Sequence, residues 1–408
     1  MKRILQLSDI AEYVDDTVRS DSIGLEQYVT TDSLLQNKEG RSLAANLPPK
    51  VASLVAFKKG DTLVANIRPY LKKIWLADCC GGASQDVLVF RARECVPQEY
   101  LFATLLQDAF FDYVMKAPKG SKMPRGDESH IMRFPLSQID ISDQRKIGKF
   151  LSSVDRLIEL SRKRIENLEK LAKEIYDYWF VQFDFPDKNG KTYKSSGGKM
   201  VYNSALKREI PEGWEVNKLG DVISVNVHSY KENTLPETIG YVDISSVSNG
   251  VISSRAYYSR SDAPGRARRR VRDGDTVWSS VRPNLRAYAL VLNPKENDVY
   301  STGFVVLSPT KVPFSYLYLA ATADAYVSFL VSRTGNSSYP AVLPDAFKEY
   351  LFPLPTEELL TRFHQITESV FRARQKSFDT ISELTQLREF LLPLLMNGQV
   401  KMGEASGC

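Results

Sequence analysis

The chain has 408 residues, 54 Lys and Arg against 49 Asp and Glu, a net charge of +5 and 43% hydrophobic residues. That length predicts two or three domains with sizeable cores, and the composition excludes a disordered or fibrous chain. The charge excess alone does not mark a nucleic-acid binder, no apolar run reaches the roughly 18 residues of a membrane span, and four cysteines and three histidines without ligand spacing argue against a disulfide framework or a metal site.

The opening MKRILQLSDI has no signal-peptide core, so a reducing cytoplasm and free thiols are expected. The first module, 1–141, reads as α+β. KKGDTLVANIRPYLKK (58–73) and QDVLVFRA (85–92) carry the β-branched and aromatic residues of strands. Lys59–Gly60–Asp61 is a turn signal ahead of the first of them. EYLFATLLQDAFFDYVM (99–115) reads as helix. MKAPKGSKMPRGDESH (115–130) then interleaves Gly, Ser121 and Pro with Lys116, Lys119, Lys122 and Arg125. Such a loop brings its backbone close to phosphates while its polar tips reach base edges.

Residues 142–180 predict a long helix. Ile147, Leu151, Val154, Ile158, Ser161, Ile165, Leu168, Ala172, Ile175 and Trp179 alternate steps of four and three, a coiled-coil seam, with Ser142 as N-cap. Residues 181–210 are rich in Gly, Ser, Lys and Asp, have no period, and read as an exposed linker.

The second module, 211–355, repeats the first. RDGDTVWSSVRPNLRA (272–287) matches the phrase at 58–73. KLGDV near 218 echoes QLSDI near 6, Tyr241–Val242 echoes Tyr28–Val29, Gly335 with Pro340 echoes Gly120 with Pro124, and Phe352–Pro353–Leu354 echoes Phe134–Pro135–Leu136. The features keep their order, which means two copies of a whole module rather than a solenoid. The contact features differ between copies. Arg260 and, within APGRARRRVRDGD, Arg266, Arg268, Arg269, Arg270 and Arg272 fall in one stretch, which reads either as phosphate or guanine contact or as a solvated loop with alternate residues facing apart. RTGNSSYPAVLPD offers Asn336, Ser337, Ser338 and Tyr339, hydrogen-bonding residues suited to base reading, and Arg286 joins the basic candidates. Arg68–Pro69 and Arg282–Pro283 admit a structural pin and a DNA contact equally.

A last helix, 356–402, is capped by Thr356 and striped by Phe363, Ile366, Val370, Ala373, Ser377, Ile381, Leu384, Leu387 and Leu391, with Pro393 as a stop or kink. Each long helix must bury its stripe. Because a whole domain lies between them, the expected solution is an antiparallel coiled coil joining two similar α+β domains; the other is that each helix packs on its own module.

The tools of catalysis are missing. There is no G-x-G-x-x-G after a strand, no phosphate-binding G-x-x-x-x-G-K-[ST] and no G-x-S-x-G. No acidic residue is followed two positions later by Lys, and no Asn-Pro-Pro-aromatic stretch occurs.

The order module, long helix, module, long helix resembles the specificity subunit of type I restriction–modification enzymes. The segment EIYDYWFVQFDFPDKNGKTYKSSGGKMVYNSALKREIPEGWEVNKLGDV (174–222) is similar to that family's central region, GDTLVANIRP and GDTVWSSVRP to its strand phrase, and LREFLLPLLMNGQV to its usual ending. The resemblance implies two target recognition domains, each reading half of a split, asymmetric site in double-stranded DNA. It also implies a coil that sets the gap and docks two modification subunits bearing S-adenosylmethionine. Restriction subunits using ATP and magnesium complete the assembly, and this chain has no cofactor or catalysis of its own. The competing reading is a non-catalytic nucleic-acid-binding dimer or scaffold without a methyltransferase partner.

Overall fold

A computed structural model describes residues 5–120, 122–334 and 340–403. The chain divides into two compact units, Met1–Ser161 with Thr380–Cys408, and Arg162–Asp379, so the division cuts both long helices. Among the described residues no single helix is long and apolar enough to cross a membrane.

In the first unit the repeated phrase builds an inner strand of a four-stranded sheet, ordered Ala11–Tyr13, Val87–Ala92, Thr62–Ala65, Ile74–Leu76. Gly60 takes φ +94° in the turn ahead of it, a conformation that is costly for a residue with a Cβ. The Asp61 carboxylate closes that turn by accepting the Lys58 backbone N–H at 2.8 Å. All four residues of Thr62–Ala65 are buried, and the period-2 alternation of a strand explains how. Leu63, Ala65, Val87 and Val89 pack with Phe57, Val29 and Ala83 of a second sheet. Val64, Leu88 and Phe90 pack with the helices Gln98–Leu106 and Asp108–Val114.

The second unit repeats this frame with the order Ile223–Val225, Phe304–Pro309, Thr276–Ser279, Tyr288–Leu290. Gly274 has φ +85°, and the Asp275 carboxylate accepts the Arg272 N–H at 2.8 Å. Trp278, fully buried, donates its indole N–H to the Ala321 carbonyl on the helix Phe314–Thr322 at 2.9 Å. The copies diverge in their second sheets. Gly81–Ala83 runs parallel to Tyr28–Val29 and antiparallel to Ser53–Phe57; Asp298–Ser301 stands in the same relation to Thr238–Val242 and Ala267–Arg269. The fourth strand is added at opposite edges. Thr17–Arg19 lies beside Ser53–Phe57, whereas Ala256–Ser259 lies beside Thr238–Val242.

The long helices are Ile141–Tyr176, 36 residues and about 54 Å, and Glu357–Met396, 40 residues. Each unit holds a stretch of both, and in each they run antiparallel. In the first unit Ile147 and Leu151 share a core with Leu392, Leu395 and Met396, and Arg388 meets Asp155 at 2.6 Å. In the second unit Arg374 bonds Glu169, and the rings of Tyr176 and Trp179 lie 6.4 and 5.7 Å from Phe363. On the first helix Ile147, Leu151, Val154, Ile158 and Ile165 are buried and Leu168 and Ile175 half-buried. On the second, the buried line runs Leu360, Phe363, Thr367, Val370, Arg374, Ser377, then half-buried Ile381 and Leu384, then Arg388, half-buried Leu391 and Leu395. Ile366, expected on the seam, is 46% exposed, and Leu387 is 42% exposed. The true seam keeps the alternation of three and four, but three of its positions are Thr367, Arg374 and Arg388. An apolar-only reading steps off those positions onto the neighbouring Ile366 and Leu387.

The caps and the linker also differ from expectation. The first helix starts at Ile141, so Ser142 lies inside its first turn. Thr356 does cap the second, its Oγ1 accepting the Leu359 N–H at 3.4 Å. Pro393 does not stop that helix, which runs to Met396. The segment 181–210, read as an exposed linker, is folded. Phe183 and Phe185 are buried with Trp214, Phe185 stacks on Tyr193 at 4.6 Å, and Met200–Asn203 pairs with Arg208–Pro211. The aromatics, diluted among Gly, Ser and Lys, supply a core that composition hides.

Candidate nucleic-acid interface

In each unit the turn toward the end of the repeated phrase is joined to the loop near the module's end. Arg68 and Lys72, at φ +52° and +50°, bracket the turn Pro69–Leu71; Arg282 and Arg286, at +49° and +54°, bracket Pro283–Leu285. The Arg68 N–H donates to the Pro124 carbonyl and the Arg282 N–H to that of Pro340, both at 2.8 Å. Ile67 bridges to Arg125, and Val281 to Ala341. The loop near the module's end and the Arg-Pro turn, separate features in the sequence, thus meet at one edge in each copy.

In the first unit that edge is a short hairpin, Pro118–Lys119 against Arg125–Gly126, with Lys119 opposite Arg125. Lys116, Lys119, Lys122 and Arg125 are all exposed. Lys119 meets Asp127 at 2.7 Å and Arg125 meets Asp86 at 2.9 Å. The Lys119 ammonium holds the Asp127 carboxyl below its usual range. Exposed pairs of this kind are worth little, so a phosphate can take either cation from its carboxylate. Gly126 lets this strand approach closely: a Cβ there would meet Val114, Ile131 and the Asn66 Oδ1 that accepts the Gly126 N–H.

In the second unit the arginines are sorted by a bulged edge strand, Ala267–Arg269. Arg266 is exposed in a cleft with Asp243, Ser246 and Tyr258. Arg268 lines a second cleft with Lys231 and Arg260 and meets Glu232 at 3.6 Å. Arg270 is exposed, its guanidinium 5.7 Å from the Tyr230 ring centre. Arg269 is different: it turns inward and donates to the Phe304 carbonyl and Ser229 Oγ, both at 3.3 Å, and burial lowers its pKa. Alternation along the strand ties the half-buried Arg269 into the fold. Arg286, half-buried, is paired with an acidic residue. It is bound to Asp324 at the start of the helix Asp324–Ser332, as Lys72 is bound to Asp108 at 2.7 Å in the other copy.

Ser121, Asn336, Ser337, Ser338 and Tyr339 lie outside the described residues. Among the described residues no group of three or more His, Cys, Asp or Glu side chains is placed to hold a metal ion. Sequence reasoning left Arg68 and Arg282 undecided and missed Asp243 and the two clefts, which are assembled from segments far apart in sequence.

No family model matches the chain. It is similar to the type I restriction enzyme MjaIX specificity subunit of Methanocaldococcus jannaschii, 24% identical over 364 residues, 87% of this chain and 81% of the relative. It is also similar to the type I restriction enzyme HindI specificity subunit of Haemophilus influenzae, 20% identical over 91% of this chain and 94% of the relative. Among solved structures, the S subunit of a type I restriction–modification system from M. genitalium shares the fold, with a TM-score of 0.61 over 97% of each chain at 15% identity.

Proposed function

We infer, for a chain homologous along most of its length to type I restriction enzyme specificity subunits, that it is the DNA-recognition subunit of such an enzyme. The observation that carries this reading is duplication with difference. Both modules keep the same four-stranded sheet, phrase and turn, while the edges beside that turn diverge. The first carries a lysine-rich hairpin beside the turn; the second carries, beside the edge strand Ala267–Arg269 of its other sheet, clefts walled by Arg266 and Arg268. A shared frame with altered tips reads two different half-sites. The chain binds and measures, without catalysing. The antiparallel helices set the gap between half-sites and dock two modification subunits, which bring S-adenosylmethionine and methylate adenine. Restriction subunits dependent on ATP and magnesium join the same assembly.

The test is to map methylated adenines in DNA from cells carrying the whole system. Exchanging residues 1–140 for the matching part of a relative should change one half-site and leave the other intact. A chain with one heptad inserted into each long helix should methylate half-sites set further apart. Unchanged half-sites after the exchange would refute the modular reading, and an unaltered gap would remove the ruler.

A further inference from the structure

We propose that Arg68 and Arg282 are a duplicated pair of phosphate clamps, one for each half of the target DNA; this rests on the DNA-recognition reading above. Both residues sit in the left-handed region, at φ +52° and +49°, immediately before a proline. Glycine or asparagine takes that conformation with least strain, and a proline further restricts the residue before it. An arginine kept there in both copies points to a use for the side chain itself. Arg68 and Arg282 are both exposed, on the edge that joins the loop near each module's end. Their backbones are held by matching hydrogen bonds to Pro124 and Pro340, so each guanidinium is rooted at a fixed place beside its reading loop.

The ligand chemistry follows from what the copies share. Two surfaces that read different bases can keep in common only what the two half-sites have in common, the sugar–phosphate backbone. Residues that differ between copies, such as the lysines of the first unit's hairpin, remain available for base edges. Identical arginines on an identical turn fit a phosphate, which guanidinium binds by paired N–H donors.

Arg68→Gly and Arg282→Gly separate the side chain from the turn, because glycine relieves the backbone while deleting the cation. The full chain, assembled with its modification subunits, is titrated with a duplex carrying its own site over a salt series, and its methylation sites are mapped. Each variant should melt at the parent's temperature or above it, bind about three- to tenfold more weakly, and show a salt slope shallower by about one phosphate contact, with the methylated sequence unchanged. Arg68→Lys should retain most of the slope. Parent-like affinity and slope in both glycine variants would overturn the proposal, and so would methylation at new sequences, which would make these arginines base readers. Failure of the underlying reading looks different: the parent complex itself would prefer no bipartite site.

Discussion

Asp61 and Asp275 occupy the same buried position in the two copies, each 2% exposed, yet their partners differ. Arg91 binds Asp61 through two hydrogen bonds, at 2.9 and 2.7 Å. The position matching Arg91 is Ser308, and burial of Asp275 raises its pKa, outweighing the Ser308 and Arg272 contacts. A carboxyl whose pKa is higher folded than unfolded favours the fold below both values, and that advantage is lost as pH rises through the interval between them. Asp275→Asn is therefore expected to stabilise the chain at neutral pH, with the gain shrinking as pH falls toward the ordinary carboxylate range. Asp61→Asn strips Arg91 of its partner and should cost about 2 kcal/mol at pH 7. Urea unfolding of both variants from pH 4 to 8 checks the pair of signs; a neutral-pH loss for Asp275→Asn would contradict the desolvation account.

At the scale of elements, the phrase, its turn and both long helices were legible because local periodicity and turn chemistry produce them. The polar seam positions were not. Arg374 is 2% exposed and bridges three segments, donating to Glu169 on the first long helix at 2.7 Å and to the Gly250 carbonyl of the module at 2.7 Å. Gly250 fits because a Cβ there would sit 2.6 Å from the Tyr318 hydroxyl and 2.9 Å from Arg374 Nη2. A buried charge on a coiled-coil seam favours one register over its alternatives. Arg374→Ala should destabilise by about 2–3 kcal/mol, and combining it with Glu169→Ala should cost less than the sum of the two single changes. Additive losses in denaturant unfolding would show that the pair is not coupled.

At the scale of the whole molecule, the long helices have apolar surface left after the seam is buried. Within the first unit Leu157 and Leu160 on one helix and Leu387 and Phe390 on the other are exposed, Phe390 at 68%. Apolar side chains concentrated outside a filled seam fit a protein partner, and the modification subunit is the one the proposed function requires. Leu157→Glu with Phe390→Glu should abolish copurification with that subunit while leaving the chain's helicity and melting unchanged. Normal copurification would place the dock elsewhere.

The order of residues by itself determined that there are two α+β modules on one plan, where the long helices lie, and which loops carry the charge, since repeats, heptads and turn residues are local patterns. Only the tertiary structure decided which basic residues face outward. Arg266 and Arg270 are exposed while Arg269 between them is turned into the fold, because a bulged strand alternates its sides. It also joined the Arg-Pro turn to a loop about 57 residues further on in each copy, through backbone hydrogen bonds that leave no mark on side-chain identity.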